Sequence, residues 1–436
     1  MQEMHEMNNR LATARHLVQA GKLDEAERLY EELLSVAPAE ALEFLGVYAL
    51  RSGRLQHSVE WLEKASGLDP GNLMVLENLG MAYEGLGLIE EASQSFRRVL
   101  DRQPEFFVSR LGLGLIERRR GRWAEAVAHV HWAFHQAHKR GFWLDESTTP
   151  PWLKDRVLDA AAFANDYRKQ NVLNALKDAG YKADDSSLAR VAAFVHSGLG
   201  IDPQKPPDPR QAPKQHYVPD LPSSPWLAQD LLPWTRRLEE EFPVILGEYL
   251  ALMRNGERFE SFLKFKSPDQ VPKYLATTGA PPRWDAFFFY RHGVRNEENC
   301  RRCPRTAELL EQLPLIRLPG MAPEICFSIL TPGTHILPHR GDANLRSVVH
   351  LPLIVPGGCV LKVGGEERTW EPGHVLAFDD TYEHEAWNRS DQIRVVLLMD
   401  AWNPHLTDPE KTALTHVLGV MQCQAAEIEN HMPVLL

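Results

Sequence analysis

Asn78-Leu79-Gly80-Met81-Ala82-Tyr83, followed by Ala92, Phe96 and Pro104, is one copy of a pattern that recurs through the N-terminal half of the chain. One copy upstream, Leu45-Gly46 precedes Ser58, Leu62, Ala65 and Pro70; one copy downstream, Leu113-Gly114 precedes Ala126, Val130 and Ala133. A leading copy shows Ala26, Tyr30, Leu33 and Pro38. Gly46, Gly80 and Gly114 follow one another at intervals of 34 residues. Two antiparallel helices approach closely only where their contact positions are small, and larger side chains fill the space between neighbouring pairs. Proline, which has no N–H and clashes with the preceding turn, ends the second helix of each pair.

This pattern resembles the tetratricopeptide repeat over about residues 8–138, in four copies of which the third is the clearest. Such arrays present a concave surface that binds peptides or protein segments, so the resemblance implies a protein partner. From Trp152 to Tyr181 the apolar spacing stays helical, through Leu153, Val157, Ala160, Phe163 and Ala164 and then Val172, Leu173 and Leu176. Residues 139–200 are therefore expected to be additional helices closing the array. His129, His131, His135 and His138 cluster in the fourth copy, the last three on one helix face, and all four are read as solvated surface residues rather than as a metal site.

The chain has 436 residues, enough for about two or three domains. Lys and Arg total 48 against 59 Asp and Glu, a formal charge of -11, so no basic excess is present to neutralise nucleic-acid phosphates. No run reaches about 18 apolar residues, which argues against a membrane span. Met1–Arg10 lacks the order of a signal peptide, and five cysteines do not make a disulfide scaffold, so a cytoplasmic protein is expected. Eight of the 31 prolines fall between Ile201 and Pro225. That stretch reads as an extended connector, with the linker proper at 201–215 and a second domain at 216–436.

Beyond Trp226 the period changes. A helix is expected over Trp234–Met253. After Pro282, short β-branched and aromatic runs are punctuated by glycine and proline: Ala286–Tyr290, Ile325–Leu330, Ser347–Val355, Val360–Val363, Val375–Phe378 and Arg394–Trp402. Strands of this length and spacing indicate a sandwich or barrel. His339 and His384, 45 residues apart and each at a strand end, can face one mouth of such a barrel. Arg394, on the following strand, can reach its interior.

The run Phe327-Ser328-Ile329-Leu330, Pro332-Gly333-Thr334-His335, Pro338-His339, His350-Leu351, Phe378-Asp379-Asp380, Glu383-His384-Glu385 and Arg394 resembles the aspartyl/asparaginyl β-hydroxylase family. So do the tail Asp400-Ala401-Trp402-Asn403-Pro404 and the segment Tyr217–Trp226. The likeness covers roughly residues 216–407. It implies an iron(II)- and 2-oxoglutarate-dependent dioxygenase on a double-stranded β-helix, a mainly β barrel with flanking helices, behind an all-α repeat array. His339 and His384 match the family's two iron ligands. Imidazole nitrogens suit iron(II), and few protein ligands leave room for the cosubstrate and dioxygen. Gly341 stands where most oxygenases carry a carboxylate ligand, and Asp342 is only a candidate for a weak ligand or an indirect contact. Arg394 and Ser328 match the contacts to the distal carboxylate of 2-oxoglutarate, and His350 matches a contact near the other carboxylate. Many members have arginine where this chain has Val348; Arg346, two residues earlier on the same strand face, is expected to substitute.

The implied reaction is hydroxylation of the β-carbon of Asp or Asn, with 2-oxoglutarate converted to succinate and carbon dioxide. The array would recruit the protein or peptide target. Two other readings are kept: hydroxylation of a free or carrier-bound amino acid, and a peptide-binding array with a degenerate barrel. His335 and His374 fit no family role and are read as structural. Cys300 and Cys303 form a CxxC with no second pair, and are read as ordinary thiols. Ala307 stands where the second cysteine of a disulfide found in some relatives is expected.

Overall fold

The computed structural model describes residues 2–264, 268–277 and 281–430. Helices α1 (Gln2–Gln19), α2 (Leu23–Glu32), α3 (Pro38–Arg51), α4 (Leu55–Leu68), α5 (Leu73–Gly85), α6 (Ile89–Arg102), α7 (Phe107–Arg119) and α8 (Trp123–Lys139) follow in pairs. The small residues of the repeat do what their spacing requires. A Cβ built on Gly46 would stand 2.5 Å from Leu62, one on Gly80 2.7 Å from Phe96, and one on Gly114 3.0 Å from Val130. Phe96 is wholly buried, and a Cβ built on Gly112 of another helix would stand 2.5 Å from its ring. A second set, Gly53, Gly87 and Gly121, has positive φ (73°, 78° and 75°) and ends the first helix of a pair. Pro70 and Pro104 stand just past α4 and α6, while Pro38 opens α3, where a missing N–H costs nothing.

The expected helices between Trp152 and Tyr181 are a single turn, Pro151–Leu153, running into one long helix, α9 (Lys154–Asp178). The chain divides into two compact units, Met1–Gln170 with the last residues from Cys423, and Asn171–Gln422. The division thus falls within α9 and not in the proline-rich stretch. The reason is that this stretch is tied to the second unit. Ala212 N donates to Thr381 O at 3.0 Å, Lys214 N to Gly341 O at 3.2 Å, and His216 N to Asp342 O at 2.9 Å. Proline excludes helix there without excluding hydrogen bonds from the residues between.

Two more helices, α10 (Ala189–Gly198) and then α11 (Thr235–Glu240), precede α12 (Phe242–Arg254). The single helix expected over Trp234–Met253 is broken at Glu241 because Pro243 belongs to a first turn. The described residues form thirteen strands in two sheets. The larger contains β1 (Trp226–Leu227), β2 (Glu260–Ser261), β4 (Trp284–Arg291), β5 (Val294–Arg295), β6 (Ile325–Leu330), β8 (Arg346–Ile354), β11 (Leu376–Phe378) and β13 (Arg394–Trp402). Its order is β1-β11-β8-β13-β6-β4-β2, with β5 on β4. The smaller, in the order β10-β9-β12-β7-β3, contains β3 (Leu275–Thr277), β7 (Thr334–His339), β9 (Cys359–Val363), β10 (Glu366–Arg368) and β12 (His384–Asn388).

Side chains alternate across a strand, so each central strand of the larger sheet serves two cores. Outward, Phe327, Ile329, Leu351, Val395 and Leu397 pack with Ile245 and Tyr249 of α12 and with Leu310 of the next long helix, Pro304–Gln312. Inward, Leu330, Val348, Phe378 and Val396 meet Ile336, Leu361, Val363 and Ala386 of the smaller sheet. Burial on both faces explains why these strands read as unbroken apolar runs. The polar exceptions to the inner row, Ser328, Arg346, His350 and Arg394, share its parity. Among the described residues no helix is long and apolar enough to cross a membrane.

Gly80→Ala should lower stability by about 1–3 kcal/mol, since the new methyl must displace the buried Phe96 ring. Urea denaturation followed by helical circular dichroism measures this; an unchanged midpoint would mean that the glycine is not a packing requirement.

Candidate functional site

His339 ends β7 and His384 begins β12, and the two are direct partners in the antiparallel register. Their ring centroids stand 4.0 Å apart. A bulge after His384 shifts the following pairs, with Ala386 opposite Ile336, a local re-aiming common beside active sites. Each ring is held by the backbone two residues before it. His339 Nδ1–H donates to Leu337 O at 2.8 Å and His384 Nδ1–H to Tyr382 O at 3.0 Å. A carbonyl oxygen only accepts, so in both rings the proton is on Nδ1 and the Nε2 lone pair is left for a ligand. Burial lowers the basicity of both imidazoles, and for His384 the neighbouring His339 adds to it, holding it well below its ordinary value. Both rings are therefore neutral, as metal ligation requires.

Both histidines line a cavity of about 340 Å³, together with Ser328, His350, Arg394 and Arg346. Arg394 is 2% exposed, and no carboxylate of the described residues pairs with it. Its Nη1 donates only long contacts, 3.5 Å to Ser328 O and 3.5 Å to Ser328 Oγ, and its Nε has no partner. The guanidinium lies over Trp370, 4.9 Å from the ring centroid, and burial lowers its pKa to about 10. Trp284 Nε1–H donates to Ser328 Oγ at 2.9 Å, fixing that hydroxyl. Trp370 Nε1–H donates to His350 Nδ1 at 3.1 Å, so the His350 proton is on Nε2, which is buried without a partner. Burial first, and then the Arg394 charge, lower the His350 pKa to about 3, so this ring is neutral. A buried cation and a buried N–H donor, both unanswered in one cavity, are sites for an anion.

Arg346 is on the same wall but differently engaged. Its guanidinium pairs with Asp400 and, at 2.8 Å, with Asp380. The structure thus brings five of the six expected residues to bear on the cavity with groups unspent, and gives the sixth two carboxylates of its own.

Asp380 is the residue that sequence reasoning missed. A Cβ on Gly341 would overlap the Asp380 carboxylate, so that side chain fills the space where a residue at 341 would project. Asp380 Oδ1 is buried without a hydrogen bond, and burial raises the carboxyl pKa to about 7. The signal was available in Gly341 itself, since an absent side chain leaves room for a side chain from another segment to fill. Among the described residues no three His, Cys, Asp or Glu side chains are grouped to hold a metal ion, so the histidines stand as a pair with Asp380 near them.

The residues set aside are engaged elsewhere. His335 pairs with Glu385 at 3.0 Å, and His374 is 3.7 Å from Glu371. In α8, His131 contacts Arg168 at 3.1 Å and His138 the carbonyl of Trp143 at 3.1 Å. Cys300 and Cys303 are buried free thiols, and burial pushes Cys303 up to about 12.

Residues 239–404 match the sequence model of the aspartyl/asparaginyl beta-hydroxylase family, and residues 11–72 and 78–130 match the tetratricopeptide repeat. Aspartate beta-hydroxylase domain-containing protein 2 of Xenopus tropicalis is 34% identical over 214 residues, 48% of this chain and 55% of that protein. The human aspartyl/asparaginyl beta-hydroxylase is 40% identical over 133 residues, 30% of this chain and 17% of that protein. An ornithine lipid ester-linked acyl 2-hydroxylase of Rhizobium tropici is 33% identical over 175 residues, 39% of this chain and 58% of that protein. This chain spans little more than half the length of the first of these relatives.

The two arginines should part company in stability. Arg346→Ala strands two buried carboxylates and should cost about 3–5 kcal/mol, whereas Arg394→Met removes an unpaired buried charge and should cost nothing. Thermal melts of the two variants test this; equal destabilisation would show that Arg394 has a structural partner.

Proposed function

We propose that this chain, which carries an aspartyl/asparaginyl β-hydroxylase domain behind tetratricopeptide repeats, is an iron(II)- and 2-oxoglutarate-dependent dioxygenase. It hydroxylates the β-carbon of Asp or Asn in a protein or peptide recruited by the repeats. One observation carries the reading: among the described residues, a buried guanidinium without a carboxylate partner shares a cavity with two neutral imidazoles whose Nε2 atoms are free. His339 and His384 would hold the metal. Arg394 and Ser328 would bind the distal carboxylate of 2-oxoglutarate, a charge-assisted contact that also answers the buried cation. His350, whose Nε2–H is unpartnered among the described residues, would donate to the other end of the cosubstrate. Iron(II) with 2-oxoglutarate, when bound, supplies the activation of dioxygen that an unactivated C–H bond demands.

Arg346 orients Asp380 rather than taking the place of the arginine absent at Val348. Asp380 in turn gives the position of Gly341 a carboxylate from the turn between β11 and β12. Trp284 and Trp370 keep the Ser328 hydroxyl and the His350 tautomer fixed, and the inner apolar row excludes water. We place the reaction in the cytoplasm, on the five unpaired thiols. The Rhizobium tropici relative favours a second reading, hydroxylation of an acyl chain in the same cavity.

Purified protein given iron(II), 2-oxoglutarate and Asp- or Asn-containing peptides should release succinate and add one oxygen to the peptide, read by mass spectrometry. His339→Ala with His384→Ala should abolish iron binding. Arg394→Met should raise the KM for 2-oxoglutarate roughly 10- to 100-fold, the worth of a lost charged hydrogen bond. No succinate with or without peptides, together with iron retained by the double variant, contradicts the reading. Oxygen added to an acyl chain and not to peptides favours the second.

A further inference from the structure

The repeat unit holds a cleft of about 400 Å³ for which the catalytic reading has no use. Part of its lining comes from the repeats, through Arg51 at the end of α3, Met74 and Asn78 in α5, and Phe106 before α7. The rest comes from outside them, through Phe142, Trp143 and Trp152 between α8 and α9.

That connecting segment is held in a costly shape. Trp143 has φ 58°, a left-handed conformation that costs a residue with a side chain on the order of 1–2 kcal/mol. Its N–H donates to Thr148 O at 3.2 Å, and its ring packs edge-on against Phe107 at 4.9 Å and Phe134 at 5.4 Å. Strain maintained by this much packing points to a shape that is used. Large apolar side chains are meanwhile left in water at the cleft: Met74 is 49% exposed, Phe142 44% and Trp152 44%. Grouped exposure of this kind marks an interaction site.

The polar groups narrow the choice of occupant. Arg51 stacks on Trp152, its guanidinium carbon 3.2 Å from the ring centroid, and makes no ion pair among the described residues. Glu77 is already engaged, accepting from the Ser109 hydroxyl at 2.7 Å. Asn78 and Trp143 add buried polar atoms without hydrogen-bond partners to the walls of the cleft.

We infer that this cleft docks an acidic peptide segment, with a large apolar side chain against Trp152 and Phe142 and a carboxylate on Arg51. The inference rests on the proposed function for its purpose: the segment would tether a protein substrate by residues other than the one hydroxylated.

The test uses the full chain without iron or 2-oxoglutarate. Fluorescein-labelled octapeptides share a Leu-Phe core flanked by Asp, Asn or Lys, and anisotropy reports binding. The Asp peptide should bind at least about tenfold tighter than the Lys peptide, and Arg51→Ala should remove that preference. Trp152→Ala should weaken the Asp peptide about tenfold as well. Arg51→Glu should reverse the preference toward Lys, an outcome that misfolding cannot produce. Saturable binding of none of the three, equal affinity for Asp and Lys, or an unaltered preference in Arg51→Glu overturns the inference. Binding without cosubstrate separates the two proposals. If docking fails while peptides are still hydroxylated, only the cleft is misread; if docking holds without hydroxylation, only the catalytic reading falls.

Discussion

Antiparallel pairing of β7 with β12 sets His339 opposite His384, and the rest of the site is arranged around that register. A slip of one residue would turn every side chain of one strand to the other face. It would set Glu383 or Glu385 opposite His339 in place of His384 and so separate the two imidazoles. The bulge after His384 confines the required pairing to one place and lets Ala386 and Trp387 return to the pattern of the smaller sheet. Across the interior, β6, β8 and β13 obey the same period of two, which is why Ser328, His350 and Arg394 meet the histidines while their sequence neighbours pack on helices.

Against this rigid frame the charges are left unbalanced at one point. Arg346 is surrounded by Asp380 and Asp400 and is neutralised within the fold. Arg394, buried more deeply, is not. A fold optimised only for stability would fill that place with an apolar side chain, because an isolated buried cation is unfavourable. The cost is understandable if an anion arrives to occupy the cavity. The site and its supporting sheet therefore have opposite electrostatic designs: satisfied behind, unsatisfied in front.

The parts of this arrangement that could be read from sequence are those where one residue type has one physical use. The glycines at 34-residue intervals predicted close helix packing, and Leu62, Phe96 and Val130 are indeed what they accommodate. Strands β6, β8 and β13 were legible because burial on both faces makes them mostly apolar, with few polar residues such as Ser328, His350 and Arg394 to interrupt the run. Strands β7 and β12, which carry the histidines, were not, since Thr334–His339 contains Pro338 and His384–Asn388 alternates around polar residues. The helix break at Glu241 was signalled by Pro243 and overridden by an otherwise continuous apolar pattern. Asp380 and the cleft near Arg51 escaped for a different reason. Each is made by residues distant in sequence filling a space that a glycine or a repeat boundary leaves open.

The central claim is that the cavity holds iron(II) on His339 and His384 and 2-oxoglutarate on Arg394. Anaerobic titration of the iron(II)-loaded protein with 2-oxoglutarate, followed by visible absorption, addresses both at once. A charge-transfer band that saturates at about one equivalent, vanishes in His339→Ala, and needs about tenfold more 2-oxoglutarate in Arg394→Met is the predicted result. No band, or one indifferent to both substitutions, would contradict the account.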